Sequence, residues 1–247
     1  MRFAFRFRQG MKAAIPIWIA FVPSSLAWGI AAQAHGMRFA EVVLMSAWVY
    51  SGPAQFAVLV PLAEGKSSLQ VLVAGFLMNL RFLPMSAALA PYFHGVNRLT
   101  LLLSSHVVSA SSFIVPYLQF QKERPDAGDS GLTETTAGYG NLAFFLGVGS
   151  SSFLVWVIGS AFGYTVALGF PAGFEEALKF ILPGYFAGLL VVEMRGWAMP
   201  VVCLAALLSA VPGALASPGW GWLVTASLVA ILVWGAEQWK FRASPLS

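Results

Sequence analysis

The chain has 247 residues, 58% hydrophobic and only 10% charged, with a formal net charge of +4 at neutral pH. Soluble domains carry roughly 25% charged residues. A water-exposed globule is therefore excluded, and an all-α polytopic membrane protein is implied, its twenty Phe and nine Trp suited to a lipid-facing exterior with interfacial rings. In a soluble chain the basic excess would hint at nucleic acid. Here the Lys and Arg residues cluster at segment ends, as positive-inside topology requires, and no basic block interleaves with aromatics, so no nucleic acid is expected. The single cysteine, Cys203, cannot form an internal disulfide and reads as a small buried hydrophobe.

A spanning helix needs about 20 apolar residues. The candidates are 13–35, 41–62, 69–91, 99–120, 140–168, 172–192, 197–213 and 219–239, giving about eight transmembrane helices, some of them broken. The first follows a basic start and ends near Ala32-Gln33-Ala34, like a signal peptide. Its apolar run is longer than the usual ~7–15 residues and carries Pro16 and Pro23, so it reads as a span that is not cleaved. The longest polar loop is 121–138.

Charge placement tests the weakest span, 99–120, which holds five serines and His106. If all eight segments cross and the N-terminus is inside, Arg2, Arg6, Arg8, Lys12, Lys66, Lys122, Arg124, Arg195, Lys240 and Arg242 are cytoplasmic, and only Arg38 and Arg98 lie outside. If 99–120 is re-entrant, the bias disappears. Eight spans with both termini cytoplasmic are therefore expected. The whole chain, 1–247, reads as one transmembrane domain. Its two halves, 10–120 and 139–240, have the look of a repeat joined by the cytoplasmic loop 121–138. Ser24-Ser25-Leu26-Ala27-Trp28 resembles Ser151-Ser152-Phe153-Leu154-Val155-Trp156, and Gln55-Phe56-Ala57 falls near Tyr185-Phe186-Ala187. This offset spans four segments, so the repeats would be parallel, and chance similarity is the competing explanation.

The motifs follow in chain order. Pro23-Ser24-Ser25-Leu26-Ala27-Trp28-Gly29 offers small residues for close helix approach, a reading preferred over a substrate contact. In Tyr50-Ser51-Gly52-Pro53-Ala54-Gln55-Phe56, Pro53 removes a backbone donor and Gly52 weakens the helix. Exposed backbone at membrane depth is tolerated only within protein or beside a cavity. The segment is either a broken helix lining a substrate site or a kinked packing helix with Gln55 bonded across an interface.

The third segment carries its only charge, Arg81, two residues after Asn79. An Arg at mid-depth costs about 2.5–3.5 kcal/mol on insertion scales. No acid is expected at matching depth, which leaves backbone carbonyls, a partner subunit or an anionic substrate group to meet its planar fork. His106 is the mid-segment group that could titrate near neutrality, either as a proton relay or as a neutral, serine-bonded ring. Three scattered histidines and one cysteine give no metal-ligand spacing, and no nucleotide-binding motif is present, so neither metal nor cofactor is expected.

Together these motifs resemble the AzlC family, the large subunit of branched-chain amino acid exporters. The matching stretches are 22–31, 50–56, Asn79-Leu80-Arg81 through Leu89-Ala90-Pro91, and 156–164; the second and third carry the specificity. The resemblance implies export of hydrophobic amino acids across the inner membrane with a small AzlD-like membrane subunit. In one departure, the family's acidic motif early in the fourth segment is replaced by Leu103-Ser104-Ser105-His106, and His106 is the expected substitute for the lost titratable function. On this reading Arg81 holds the substrate carboxylate. Asn79, Gln55, Ser51 and Gly52 bind its polar groups or orient Arg81, and Trp28 helps to receive the aliphatic tail. The alternatives are a non-transporting scaffold for a small partner and an intramembrane serine hydrolase built on Gly149-Ser150-Ser151-Ser152 and His106.

Overall fold

The computed structural model describes residues 2–123 and 134–169, with isolated helical positions 204, 208, 229 and 231. The expected spans 172–192, 197–213 and 219–239, with Lys179 and Cys203, lie outside the described residues, apart from those isolated positions. Among the described residues there is no strand. The helices are α1 (Arg2–Ala13), α2 (Ile15–Ala34), α3 (Phe39–Trp48), α4 (Gly52–Ala63), α5 (Ser68–Asn79), α6 (Phe82–Leu89), α7 (Arg98–Ser104), α8 (Ala110–Lys122) and α9 (Glu134–Ala167). Among the described residues, three helical stretches are long and apolar enough to cross a membrane: Ile15–Ala34, Ser68–Tyr92 and Ala137–Ala167.

Residues 1–65 and 71–182 belong to one compact unit, and 66–70 with 183–247 to another. In the second, Ser67 and Gln70 close a local turn, the Ser67 amide donating to Gln70 Oε1 at 3.2 Å.

Two boundaries differ from expectation. The stretch 2–12, read only as a basic flank, forms α1. The loop expected over 121–138 is shorter at both ends, because Lys122 is still in α8 and α9 begins at Glu134. Where helices end on glycine, the reason is local. Gly36 adopts φ 81° after α2, the Gly36 amide donates to the Gln33 carbonyl at 2.9 Å, and the Met37 amide donates to Ala32 at 3.0 Å. This is the left-handed terminus that glycine alone enters without strain.

Helix α9 is the organising element. Its 34 residues extend about 50 Å at the standard helical rise. α1 and α2 run along it in the same direction: Gly10 lies against Phe144, Trp18 Nε1 donates to Ser151 Oγ at 3.3 Å, Ser25 lies against Gly159, and Gly29 against Ser160 and Tyr164. The close approach is reciprocal. A Cβ at Gly29 would run into the Ser160 carbonyl and one at Gly163 into the Leu26 carbonyl; Gly10 and Gly147 stand likewise against Phe144 and Phe7. Small residues let backbones touch where lipid supplies no hydrophobic drive for association. The sequence register that matched Ser25 with Ser152 is not the packing register, since Ser25 meets Gly159.

Polarity is distributed for a bilayer. Ile19, Leu44, Trp48, Leu72, Phe76, Leu103 and Ile158 point outward, whereas Ser25, Ser46, Gln55, Ser112, Ser152 and Ser160 are fully buried. One end of the unit is filled by an apolar cluster around Phe93, Phe120, Phe144 and Phe145. At its margin Arg6 forks onto Glu123, Nη1 to Oε1 at 2.8 Å and Nη2 to Oε2, while Gln119 Nε2 donates to Oε1 at 2.8 Å. The hydrogen bond from Arg6 holds the Glu123 carboxyl below its ordinary range, and Glu123 in turn raises the Arg6 guanidinium.

Candidate functional site

The second segment is broken. α3 ends at Trp48, Val49 to Ser51 are not helical, and α4 starts at Gly52. Pro53 explains the position, because it has no amide hydrogen to donate back across the gap and it disfavours helical geometry in the residue before it. The break is clamped from several sides. Gln55, fully buried, reaches back across it to donate from Nε2 to the Met45 carbonyl at 3.1 Å, while its Oε1 accepts from Trp156 Nε1 of α9 at 3.1 Å. Trp28 Nε1 donates to Ser46 Oγ at 3.0 Å, and the Trp28 ring packs edge-on to Phe56 at 5.5 Å.

The fourth segment is broken as well. α7 passes into a 3-10 turn at Ser105–Val107, Val108 and Ser109 are extended, and α8 begins at Ala110. The serines expected to weaken this segment build the break. Ser109 and Ser112 exchange capping bonds, the Ser109 amide donating to Ser112 Oγ at 2.7 Å and the Ser112 amide to Ser109 Oγ at 3.2 Å. Ser112 Oγ donates to the Val107 carbonyl at 2.7 Å, and Ser104 Oγ satisfies the Thr100 carbonyl at 2.7 Å. His106 ties the two breaks together, its Nε2 lying 2.8 Å from the Ala47 carbonyl at the end of α3, where the ring must donate.

Both breaks sit on the middle of α9. Val107 presses on Gly149, where a Cβ would lie 2.7 Å from Val107 Cγ2. Phe153 packs edge-on to Tyr50 at 5.3 Å and to His106 at 5.6 Å; Phe21 meets Trp156 at 5.4 Å and Tyr50 at 6.4 Å. Within this aromatic setting three buried hydroxyls make no hydrogen bond: Tyr50 Oη, Ser51 Oγ and Ser152 Oγ. In the sequence Tyr50 stands within its motif without a role of its own, and Ser152 enters only through the repeat comparison and the hydrolase alternative. The geometry does not assemble the serine–histidine pair which that alternative needs. Ser150 Oγ donates to Leu146, Ser151 Oγ to Gly147 at 2.6 Å, and His106 is turned to Ala47.

Asn79 and Arg81 stand at a different interruption, the Leu80-Arg81 turn between α5 and α6. The Arg81 guanidinium lies over the ring of Phe82, 5.2 Å from its centre, a cation–π contact among its interactions. The Asn79 Oδ1 is buried without a hydrogen bond. From Phe82 the packing continues through α6 toward Leu89 and Phe93. The structure thus brings Trp28, Ser51, Gly52, Gln55 and His106 to one crossing and leaves Asn79 and Arg81 at a second place. Among the described residues no group of His, Cys, Asp or Glu could hold a metal ion.

The breaks, the crossing and the Asn-Leu-Arg turn all lie within residues 16–168, the stretch matched by the family model described as AzlC protein. The chain belongs to the AzlC family. It is similar to the inner membrane protein YgaZ of Escherichia coli (strain K12), with 26% identity over 222 residues, 84% of this chain and 80% of that protein. It is also similar to an uncharacterized membrane protein of Archaeoglobus fulgidus, with 25% identity over 195 residues, 77% of each chain. No solved structure matches it significantly. This AzlC protein is a membrane protein of transporter type, and its match ends one residue past α9.

Proposed function

We propose that the protein exports small hydrophobic amino acids, branched-chain ones among them, across the inner membrane. It works with a small AzlD-like membrane subunit and draws on an ion gradient. The observation that carries this reading is the facing pair of interrupted helices seated on α9. Irregular backbone at membrane depth is tolerated where it borders a solvated or substrate-bearing cavity, and transporters place their sites at such discontinuities. The same-direction packing of α2 and α9 supports the topology, because it fits an odd number of crossings between them, namely 41–62, 69–91 and 99–120. With positive-inside charge this favours eight spans and cytoplasmic termini.

In this scheme Trp28 and Gln55 hold the broken second segment in shape, and Ser51 and Gly52 expose its backbone to the substrate. Arg81, with Asn79, meets the carboxylate at the α5–α6 turn as a first station of the path. His106, whose ring bonds the Ala47 carbonyl at the end of α3 and so joins the two breaks, serves as the proton relay. Flux of labelled valine from proteoliposomes, with and without the small subunit, tests the function. Transport that requires both proteins is expected, and absence of flux with both present contradicts it. Arg81→Lys keeps the charge but loses the fork, so its flux should fall by roughly tenfold or more. His106→Gln should flatten the dependence of flux on pH; an unchanged profile removes the relay.

A further inference from the structure

Tyr50, Ser51 and Ser152 present an unusual combination. Tyr50 is 6% exposed, Ser51 5% and Ser152 0%, and none of the three hydroxyls makes a hydrogen bond. A buried polar group left unsatisfied costs about 1–3 kcal/mol, so three within one crossing call for a ligand. Their positions converge. Tyr50 and Ser51 are the last residues before α4, which starts at Gly52. The Tyr50 hydroxyl has the side chain of Ser109, the N-cap of α8, as a neighbour. Ser152 lies three residues after Gly149, which touches the Val107 break, and four before Trp156, which bonds Gln55 beside the other break. Helical spacing therefore sets Ser152 on the strip of α9 facing both.

The electrostatics select the ligand. Two helices of 12 and 13 residues begin here, and each N-terminus carries a partial positive charge. Hydroxyls can donate or accept, but beside two helix N-termini the favoured partner is an anion. The walls are Phe21, Phe153 and Trp156, which suit an apolar tail.

We propose that Tyr50, Ser51 and Ser152, with the N-termini of α4 and α8, form a charge-free binding site for the carboxylate of an aliphatic substrate. The proposal rests on the transport reading and adds a second, central station beyond Arg81.

The test is equilibrium binding of labelled L-valine to the purified full-length protein with its small subunit. Unlabelled isovalerate, which lacks the ammonium, and isobutylamine, which lacks the carboxylate, serve as competitors. Isovalerate should compete and isobutylamine should not. Tyr50→Phe and Ser152→Ala should each weaken valine binding by roughly tenfold or more, the range for a hydrogen bond to a charged group. Their melting temperatures without ligand should be unchanged or raised, because each removes an unsatisfied group. Unaltered valine affinity in both variants, with binding intact in the unmutated protein, means that the hydroxyls hold ordered water only and overturns this proposal alone. A lower unliganded melting temperature in both variants shows the hydroxyls already satisfied and also overturns it. Failure of the unmutated complex to bind valine at all overturns the transport reading, and this site with it.

Discussion

The helix interruptions at two places in the described bundle are solved in opposite ways. At the crossing of the second and fourth segments on α9, nearly every polar atom is tied down by neutral groups: Gln55 at both ends, Trp28 to Ser46, His106 to Ala47, Ser109 to Ser112. Only three hydroxyls are left over. At the turn between α5 and α6, a single guanidinium leans on the neighbouring Phe82 ring, on a segment most of whose side chains face outward. The crossing is preorganised and uncharged; the turn carries a charge. A substrate with a charged end and an apolar tail has use for both, the first for holding and the second for capture.

Packing variants should separate the two places most strongly. Gly163→Val drives a side chain into the Leu26 carbonyl of α2. Overpacking against backbone costs about 1–3 kcal/mol or more, so little folded protein should survive detergent extraction. Gly75→Ala on α5 meets only the Val58 side chain, at an ordinary 3.5 Å, and should melt within about 1 °C of the unmutated protein or above it. Equal losses in both variants would erase the distinction between a tight seam and a loose periphery.

Gln55→Ala comes next. It strands the buried Trp156 Nε1 and leaves the Met45 carbonyl only the Val49 amide, and should lower stability by about 1–3 kcal/mol. A chemical-denaturation series on the purified protein would read it, with Arg81→Lys nearly unchanged in the same assay.

The smallest effect belongs to the Arg6–Glu123 fork at the end of the bundle. Because Glu123 is held below its ordinary value, the folded protein keeps this carboxylate charged to lower pH than the unfolded chain does. The pair therefore contributes in full at neutral pH and fades only in acid, as pH falls through the unfolded and then the depressed value. Glu123→Gln should cost about 1 kcal/mol or less at pH 7, with the difference vanishing in acid. Melting curves across pH would show a constant difference if the pair played no part.

Much of this was legible in the sequence. Apolar runs located the described spans, Gly52-Pro53 announced the first break, and the small residues of 23–29 foretold a close helix seam, because each signal acts through neighbouring backbone. The second break lies in the span read as the weakest: its Ser109–Ser112 capping box is local in sequence, whereas the His106 bond to Ala47 exists only once distant segments meet. α1 was read as a flank because its charge masked a helix that Arg6 ties to Glu123 and Phe144, and residues 134–138 were read as loop because of their polarity. Arg81 was singled out as an expensive charge to be met by backbone carbonyls, a partner subunit or an anionic substrate; its contact with the Phe82 ring, one residue away, was not among those partners. Tyr50 and Ser152 carry no signal of their own; what sets them apart is the lack of a partner after everything around them has found one.

Photolabelling with a leucine analogue that carries a diazirine on its side chain, read by mass spectrometry of the purified complex, tests the central claim most directly. A substrate whose carboxylate sits at the crossing has its tail among Phe21, Phe153 and Trp156, so adducts should concentrate on peptides from α2 and α9 and be displaced by valine. Valine-sensitive adducts confined to α5 and α6 around Arg81 would contradict it.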